Sequence, residues 1–321
     1  MTVADRTDQG TAHRGEAIMK GGKASRTADI AAVCRATESN KPEDQRVCYD
    51  PFSEYFLSSR IYGAIAKSRL LTKVFRWYAD RMGPGTLGTI VGRTRHIDDR
   101  LQSCIDEGIE QLVILGAGYD SRAYRFDELK GKVKVFEVDH PITQKTKIAK
   151  VKKILGSLPD NVVYVPIDFE KEKLDERLFE SGFDKNLKTL FLWEAVTMYL
   201  TAEAVDETLD FVAKNSGQGS SIIFDYMFKS WVDGTYEYED AEEGKKIERG
   251  RRKVERTGEL FIFGIEEGTV EEFLSQRGFC QVENVTGASL KSAYFKGKNQ
   301  NRKVQRFHGY VHATVKPREG S

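Results

Sequence analysis

The sequence predicts a doubly wound α/β fold: a seven-stranded, mostly parallel sheet with helices on both faces, an N-terminal helical cap and an insertion after the fifth strand. Three observations predict it. From Gln111 onward, short apolar runs alternate with longer amphipathic ones, the texture of parallel strands joined by crossover helices. The run Ile114-Leu115-Gly116-Ala117-Gly118 ends an apolar strand in a glycine turn before a helix. About twenty residues on, Phe136-Glu137-Val138-Asp139 ends the next strand in acids, where a nucleoside-binding fold places one.

Residues 1–24 are polar and glycine-containing and read as a mobile tail; residues 25–321 read as one domain. Residues 25–110 supply the cap and an entry helix, with helical periodicity over Thr27 to Ala36, Phe52 to Ser58, the run IYGAIAKSRLLTKVFRWYADRM and Thr89 to Glu107. QLVILGAG is strand and turn, VKVFEVD a strand, PITQKTKIAKVKKIL a helix, and NVVYVPIDF and TLFLWE are strands. AEAVDETLDFVAKN is helical and SSIIFDYMF is the fifth strand. Residues 226–264 then form a charged insertion, too long for a plain connection and read as a lid. EEFLSQRG is a helix; CQVENVT and QRFHGYVHATV, joined by a connection without an obvious helix, are expected to pair antiparallel at one edge.

The length, 321 residues, suffices for a sizeable core. Lys and Arg number 50 against 49 Asp and Glu, so no net field gathers nucleic acid or an anionic membrane, and neither is expected as a partner. The four cysteines form no CxxC pair and no metal-ligand spacing, and read as reduced thiols. With no signal-peptide pattern and no long apolar run, a cytoplasmic protein is expected, and a homo-oligomer is compatible with the sequence.

Gly116 and Gly118 let a ligand approach the backbone closely. Glu137 and Asp139 both remain candidates for the ribose hydroxyls, each charge-assisted bond contributing roughly 1.5–3 kcal/mol. A dinucleotide site would place a third glycine at position 121. Here Ser121 stands there, and Asp120 opposes a pyrophosphate at the helix start. A ligand joining a nucleoside to a cationic sulfonium fits better. At the third strand end, Asp168 is placed to accept from an exocyclic amine and Phe169 to lie against the base, unless Asp168 caps a helix starting near Lys171. The guanidinium of Arg93, or of Arg95, presents a fork suited to a carboxylate.

Five stretches, SRTADIAAVCRA with CYDPF downstream, GRTRHIDD, ILGAGYDSRAYRF, FEVDHP and LWEAVTMYL, resemble the leucine carboxyl methyltransferase-like family of class I S-adenosylmethionine-dependent methyltransferases, especially its microbial O-methyltransferase branch. The resemblance runs from about Ser25 to the C-terminus and implies S-adenosylmethionine as cofactor. It implies Arg93 on the methionine carboxylate, Gly116 in the binding turn, Asp139 on the ribose, Asp168 and Phe169 near the adenine, and Glu194 after the fourth strand. Ala195 stands where that branch usually has glycine. The implied activity is methyl transfer to a carboxylate or hydroxyl of a small molecule; the alternatives are a protein C-terminal carboxylate as acceptor and a non-catalytic cofactor-binding scaffold. Tyr199 is a candidate for the reacting end, and no general base stands out. Trp231 and Tyr236, in the aromatic start of the insertion, are expected to cover the acceptor.

Overall fold

The computed structural model describes residues 26–168, 171–256 and 258–318. Seven strands form one sheet: β1 (Gln111–Leu115), β2 (Lys134–Asp139), β3 (Val162–Pro166), β4 (Thr189–Trp193), β5 (Ser221–Met227), β6 (Phe279–Thr286) and β7 (His308–Val315). Their order is β3-β2-β1-β4-β5-β7-β6. Strands β1 to β5 pair in parallel, whereas β7 runs antiparallel to both β5 and β6. The last two strands are thus an antiparallel edge pair, with β7 returning inside β6. The chain order reverses at β1, which opens a crevice above the carboxyl ends of β1 and β4.

Twelve helices are present among the described residues. The cap comprises α1 (Arg26–Ser39), α2 (Arg60–Lys67), α3 (Arg69–Met82) and α4 (Thr86–Asp106). Helices α5 (Arg122–Arg125), α6 (Pro141–Leu155), α7 (Leu174–Glu180) and α8 (Ala202–Lys214) follow strands β1 to β4. The insertion holds α9 (Lys229–Val232) and α10 (Ala241–Glu255); α11 (Val270–Ser275) and α12 (Gly287–Tyr294) flank β6.

Side-chain alternation along the strands builds a core on each face. Val113, Leu115, Phe136 and Val138 meet Val205, Leu209 and Val212 of α8 on one side. Leu112, Ile114, Val135 and Leu190 meet Ile97 and Leu101 of α4 on the other.

Three local expectations are corrected. Phe52 to Ser58 folds into turns, held by Asp50, whose carboxylate accepts from the backbone of Phe52 and Ser53. The run after Arg60 breaks at Ser68, whose backbone is extended and whose hydroxyl accepts from Leu71 N–H to start α3. The connection from β6 to β7 contains α12, capped by Thr286; eight residues of GASLKSAY carry too little periodicity to announce a helix.

Helix α4 is seated by close backbone contact. A Cβ at Gly88 would stand 2.0 Å from the carbonyl oxygen of Lys303, and one at Gly92 would stand 2.6 Å from Leu290 Cδ2. Gly88 lets α4 approach the 303–305 segment and Gly92 lets it approach Leu290 of α12, and Arg93 follows on the next position of the helix.

Candidate functional site

The turn after β1 needs its glycines. Gly116 has φ +67° and Gly118 φ +40°, and a Cβ on Gly116 would meet Val196 Cγ2 at 2.6 Å. Asp139, at the end of β2, reaches back to this turn: Oδ2 accepts from Gly118 N–H, and Oδ1 accepts from His140 N–H at 2.6 Å. Burial raises its pKa against these two bonds. A carboxylate has about four acceptor sites, so two remain for hydroxyl donors.

Glu137 has a different position from the one expected of a ribose ligand. It is fully buried, with Lys147 Nζ donating at 2.8 Å and Tyr124 Oη at 2.9 Å. Its carboxylate is occupied inside the core, and only Asp139 of the pair stands beside the glycine turn.

Around the turn lies a network of ion pairs. Arg93 Nε donates to Glu194 Oε1 at 2.8 Å, and its Nη1 to Asp225 Oδ2 at 2.7 Å. Arg122, the first residue of α5, donates to Glu194 Oε2 at 2.7 Å, to Asp98 at 2.8 Å and to Asp120. Arg125 adds a bond to Asp98, and Arg35 pairs with Asp50 at 2.8 Å while donating to the carbonyl of Tyr119 at 2.7 Å. Burial acts to raise the pKa of Glu194, but Arg122 and Arg93 hold it well below the usual carboxylate range. Burial raises Asp225 in spite of Arg93.

Four arginines face five carboxylates in this network, leaving it one negative charge in excess before Asp139 is counted. That excess suits a ligand with a sulfonium and an ammonium. Asp120 Oδ1 accepts from Arg122 N–H at 2.7 Å and fills the position a pyrophosphate would need. These donors and acceptors fit S-adenosylmethionine and disfavour a dinucleotide.

The remaining expected residues are scattered. Asp168 pairs with Lys171 Nζ at 2.6 Å, and α7 starts only at Leu174, so Asp168 does not cap it. Phe169 lies outside the described residues, as does the tail 1–24. Arg95 is exposed and bonded to Asp99. Tyr199 stacks on Phe261 with centroids 5.4 Å apart. Trp231 corrects its expectation: it is 3% exposed, lies parallel to Phe307 at 4.5 Å, and donates its Nε1–H to Tyr238 Oη at 2.9 Å. Tyr236 packs edge-on against Phe307 at 5.7 Å and joins the same cluster. Both serve the core where a cover over the acceptor was expected.

Several site residues were missed from sequence. Arg122 and Asp98 sit in motifs already singled out, and Asp225 is an acid inside an otherwise apolar strand, an anomaly that signals a buried partner. Asp225 Oδ1 also accepts from Ala195 N–H at 2.6 Å, fixing the turn that carries Glu194. His308 and Tyr310, on β7 opposite Met227 and Asp225, carry no sequence signal. Among the described residues His308 Nδ1 and Tyr310 Oη are buried without a hydrogen-bond partner. Gln305 Nε2 donates to Thr86 Oγ1 at 3.0 Å, so its Oε1 faces His308 Nε2 at 3.3 Å. Nε2 therefore bears the proton and Nδ1 is a bare acceptor.

The sheet and this site define a class I S-adenosylmethionine-dependent methyltransferase. The leucine carboxyl methyltransferase family model matches residues 28–213, and the chain belongs to that family. It is 29% identical over 247 residues to YktD of Bacillus subtilis, provisionally named an S-adenosyl-L-methionine-dependent methyltransferase, with 76% of this chain and 77% of that one covered. A similarly named protein of Mycobacterium sp. (strain KMS) is 30% identical over 285 residues, covering 82% of this chain and 86% of the relative. In fold the chain is similar to a provisionally assigned methyltransferase from Thermobifida fusca, with a TM-score of 0.54 at 13% identity, covering 90% and 95% of the two chains.

Proposed function

We propose that the chain is an O-methyltransferase acting on a small molecule, with the acceptor entering above β5 and β7. The observation that carries this reading is the buried arginine and carboxylate network beside the glycine turn, with Asp139 turned toward that turn. Asp139 would hold the ribose, Arg93 the amino-acid carboxylate, and Glu194 and Asp225 would orient Arg93. S-adenosylmethionine supplies an electrophilic methyl group on its sulfonium. The chain's part is then to position two reactants, an effect reaching roughly 7–11 kcal/mol. His308 supports a hydroxyl as acceptor through orientation: burial with Arg93 nearby pushes the imidazole down to about 3, so it stays neutral and its Nδ1 can accept a hydrogen bond from the hydroxyl without taking the proton.

The test is a titration of the purified protein followed by methyl release over a panel of phenols, alcohols and carboxylic acids. S-adenosylmethionine should bind and, at a hundredfold excess over its dissociation constant, stabilise the fold by about 2.7 kcal/mol. NAD should do neither. Preferential binding of NAD, or methylation confined to nitrogen or carbon acceptors, would end the reading.

A further inference from the structure

The hairpin of α2 and α3 turns its apolar side away from the protein. On α3 the less exposed positions are Thr72, Phe75, Arg76 and Ala79, a helical stripe in which Phe75 and Ala79 pack against Cys34, Leu87 and Ile90. The bulkier residues face outward: Leu70, Leu71, Val74, Trp77, Tyr78 and Met82 are between 39% and 70% exposed. At about 100° per residue they fall on one continuous arc. Ile61 of α2, on the same hairpin, is also 71% exposed. An apolar surface of this extent marks an interaction site.

Charge identifies the partner. Between Arg60 and Met82 stand six basic residues, Arg60, Lys67, Arg69, Lys73, Arg76 and Arg81, against the single acid Asp80. The hairpin therefore carries +5 in a chain whose net charge is +1, and the rest of the chain carries −4. The near-neutral total conceals a positive pole. A second copy docked face to face would set +5 against +5.

We propose that the α2–α3 hairpin is a docking surface for an anionic lipid bilayer. The apolar arc would lie at the headgroup boundary, and the exposed basic residues Arg60, Lys67, Arg69, Lys73 and Arg81 would meet lipid phosphates, the arrangement of an amphipathic helix in the interface plane. Attachment is peripheral: among the described residues no helix is long and apolar enough to cross a membrane. From Met82 the chain passes through Gly83, Pro84 and Gly85 into α4, which carries Arg93. A docked surface thus sits a short stretch of chain from the site.

Flotation of the full chain with vesicles tests this. The protein should float with phosphatidylcholine vesicles containing about one third phosphatidylglycerol, and remain behind with pure phosphatidylcholine or at high salt. Leu70→Glu with Trp77→Glu should weaken binding at least about tenfold, with melting temperature and S-adenosylmethionine affinity unchanged. Arg69→Glu with Lys73→Glu gives an independent reading if the first variant does not fold. No flotation at low salt, equal binding to both vesicle types, or undiminished binding by both variants overturns the proposal. So does a dimer in solution that the first variant dissolves, which would assign the face to a second copy.

Discussion

At the scale of single residues, Glu137 and Asp139 share a strand and a charge but do different work. Asp139→Ala should weaken S-adenosylmethionine by roughly 1.5–3 kcal/mol while the fold survives. Glu137→Ala strands Lys147 in the core and should cost about 3–5 kcal/mol of stability. Urea unfolding and calorimetry on the two variants separate these outcomes, and reversed roles would refute the assignment. Sequence could place both acids at the strand end but could not choose, because the choice depends on Lys147 and Tyr124 reaching Glu137 from α6 and α5. Ala195 is a second such case. Its φ is +59°, a left-handed backbone costing an alanine about 1–2 kcal/mol. Ala195→Gly should therefore stabilise the protein by up to about 1 kcal/mol, since glycine also loses more freedom on folding. A measurable fall in melting temperature would contradict this.

At the scale of elements, β1, β4 and β5 were legible because each is a bounded apolar run, and a strand buried on both faces leaves that signature whatever surrounds it, whereas the half-exposed β6 carries a weaker mixture of apolar and polar residues. The insertion was legible only in part. Its charged half is helix α10, as its composition indicates, with Asp240 accepting from Glu242 and Glu243 N–H at the start. Its aromatic half was misread because composition cannot tell an aromatic that covers a ligand from one that anchors an insertion. Trp231 lies on Phe307, meets Phe261 edge-on at 5.2 Å, and has Arg251 over its face at 5.0 Å. Arg251 also donates to the carbonyls of Trp231 and Val232, so α9 and α10 close on each other through Arg251 and the Trp231 ring together. Trp231→Ala should thus cost about 3–5 kcal/mol and loosen α10. Hydrogen exchange confined to residues 241–255 would show it, and a variant as stable as the parent would return the tryptophan to a ligand role.

At the scale of the whole molecule, the balanced charge says little about behaviour, because what responds to pH is the subset of groups that folding buries. Three histidines are driven down by burial: His308 to about 3, His96 to about 4, and His312 in the same direction. Arg100 also lowers the second and third, and Arg93 the first. In the unfolded chain each titrates near 6.5. As pH falls below that value the unfolded state takes up protons that the native state refuses, so stability drops. Each such histidine removes about 1.4 kcal/mol per pH unit until its native pKa is reached. Carboxylates contribute with both signs at lower pH. Glu38, Asp50 and Glu194 are lowered, so their stabilisation is lost on acidification, whereas burial raises Glu137, Asp139 and Asp225, which oppose the loss. Between pH 6.5 and about 5 the histidines dominate, since unfolded carboxylates are still largely ionised there. Melting temperature should accordingly fall through this window and be flat between about pH 7 and 8, where Lys41, lowered to about 8, begins to titrate. His308→Gln removes one titrating group while keeping a side chain that can face Gln305, so it should flatten the fall by about 1.4 kcal/mol per pH unit. A slope identical to that of the parent would mean that His308 titrates in the folded protein as it does in the unfolded chain, and that burial beside Arg93 does not hold it neutral.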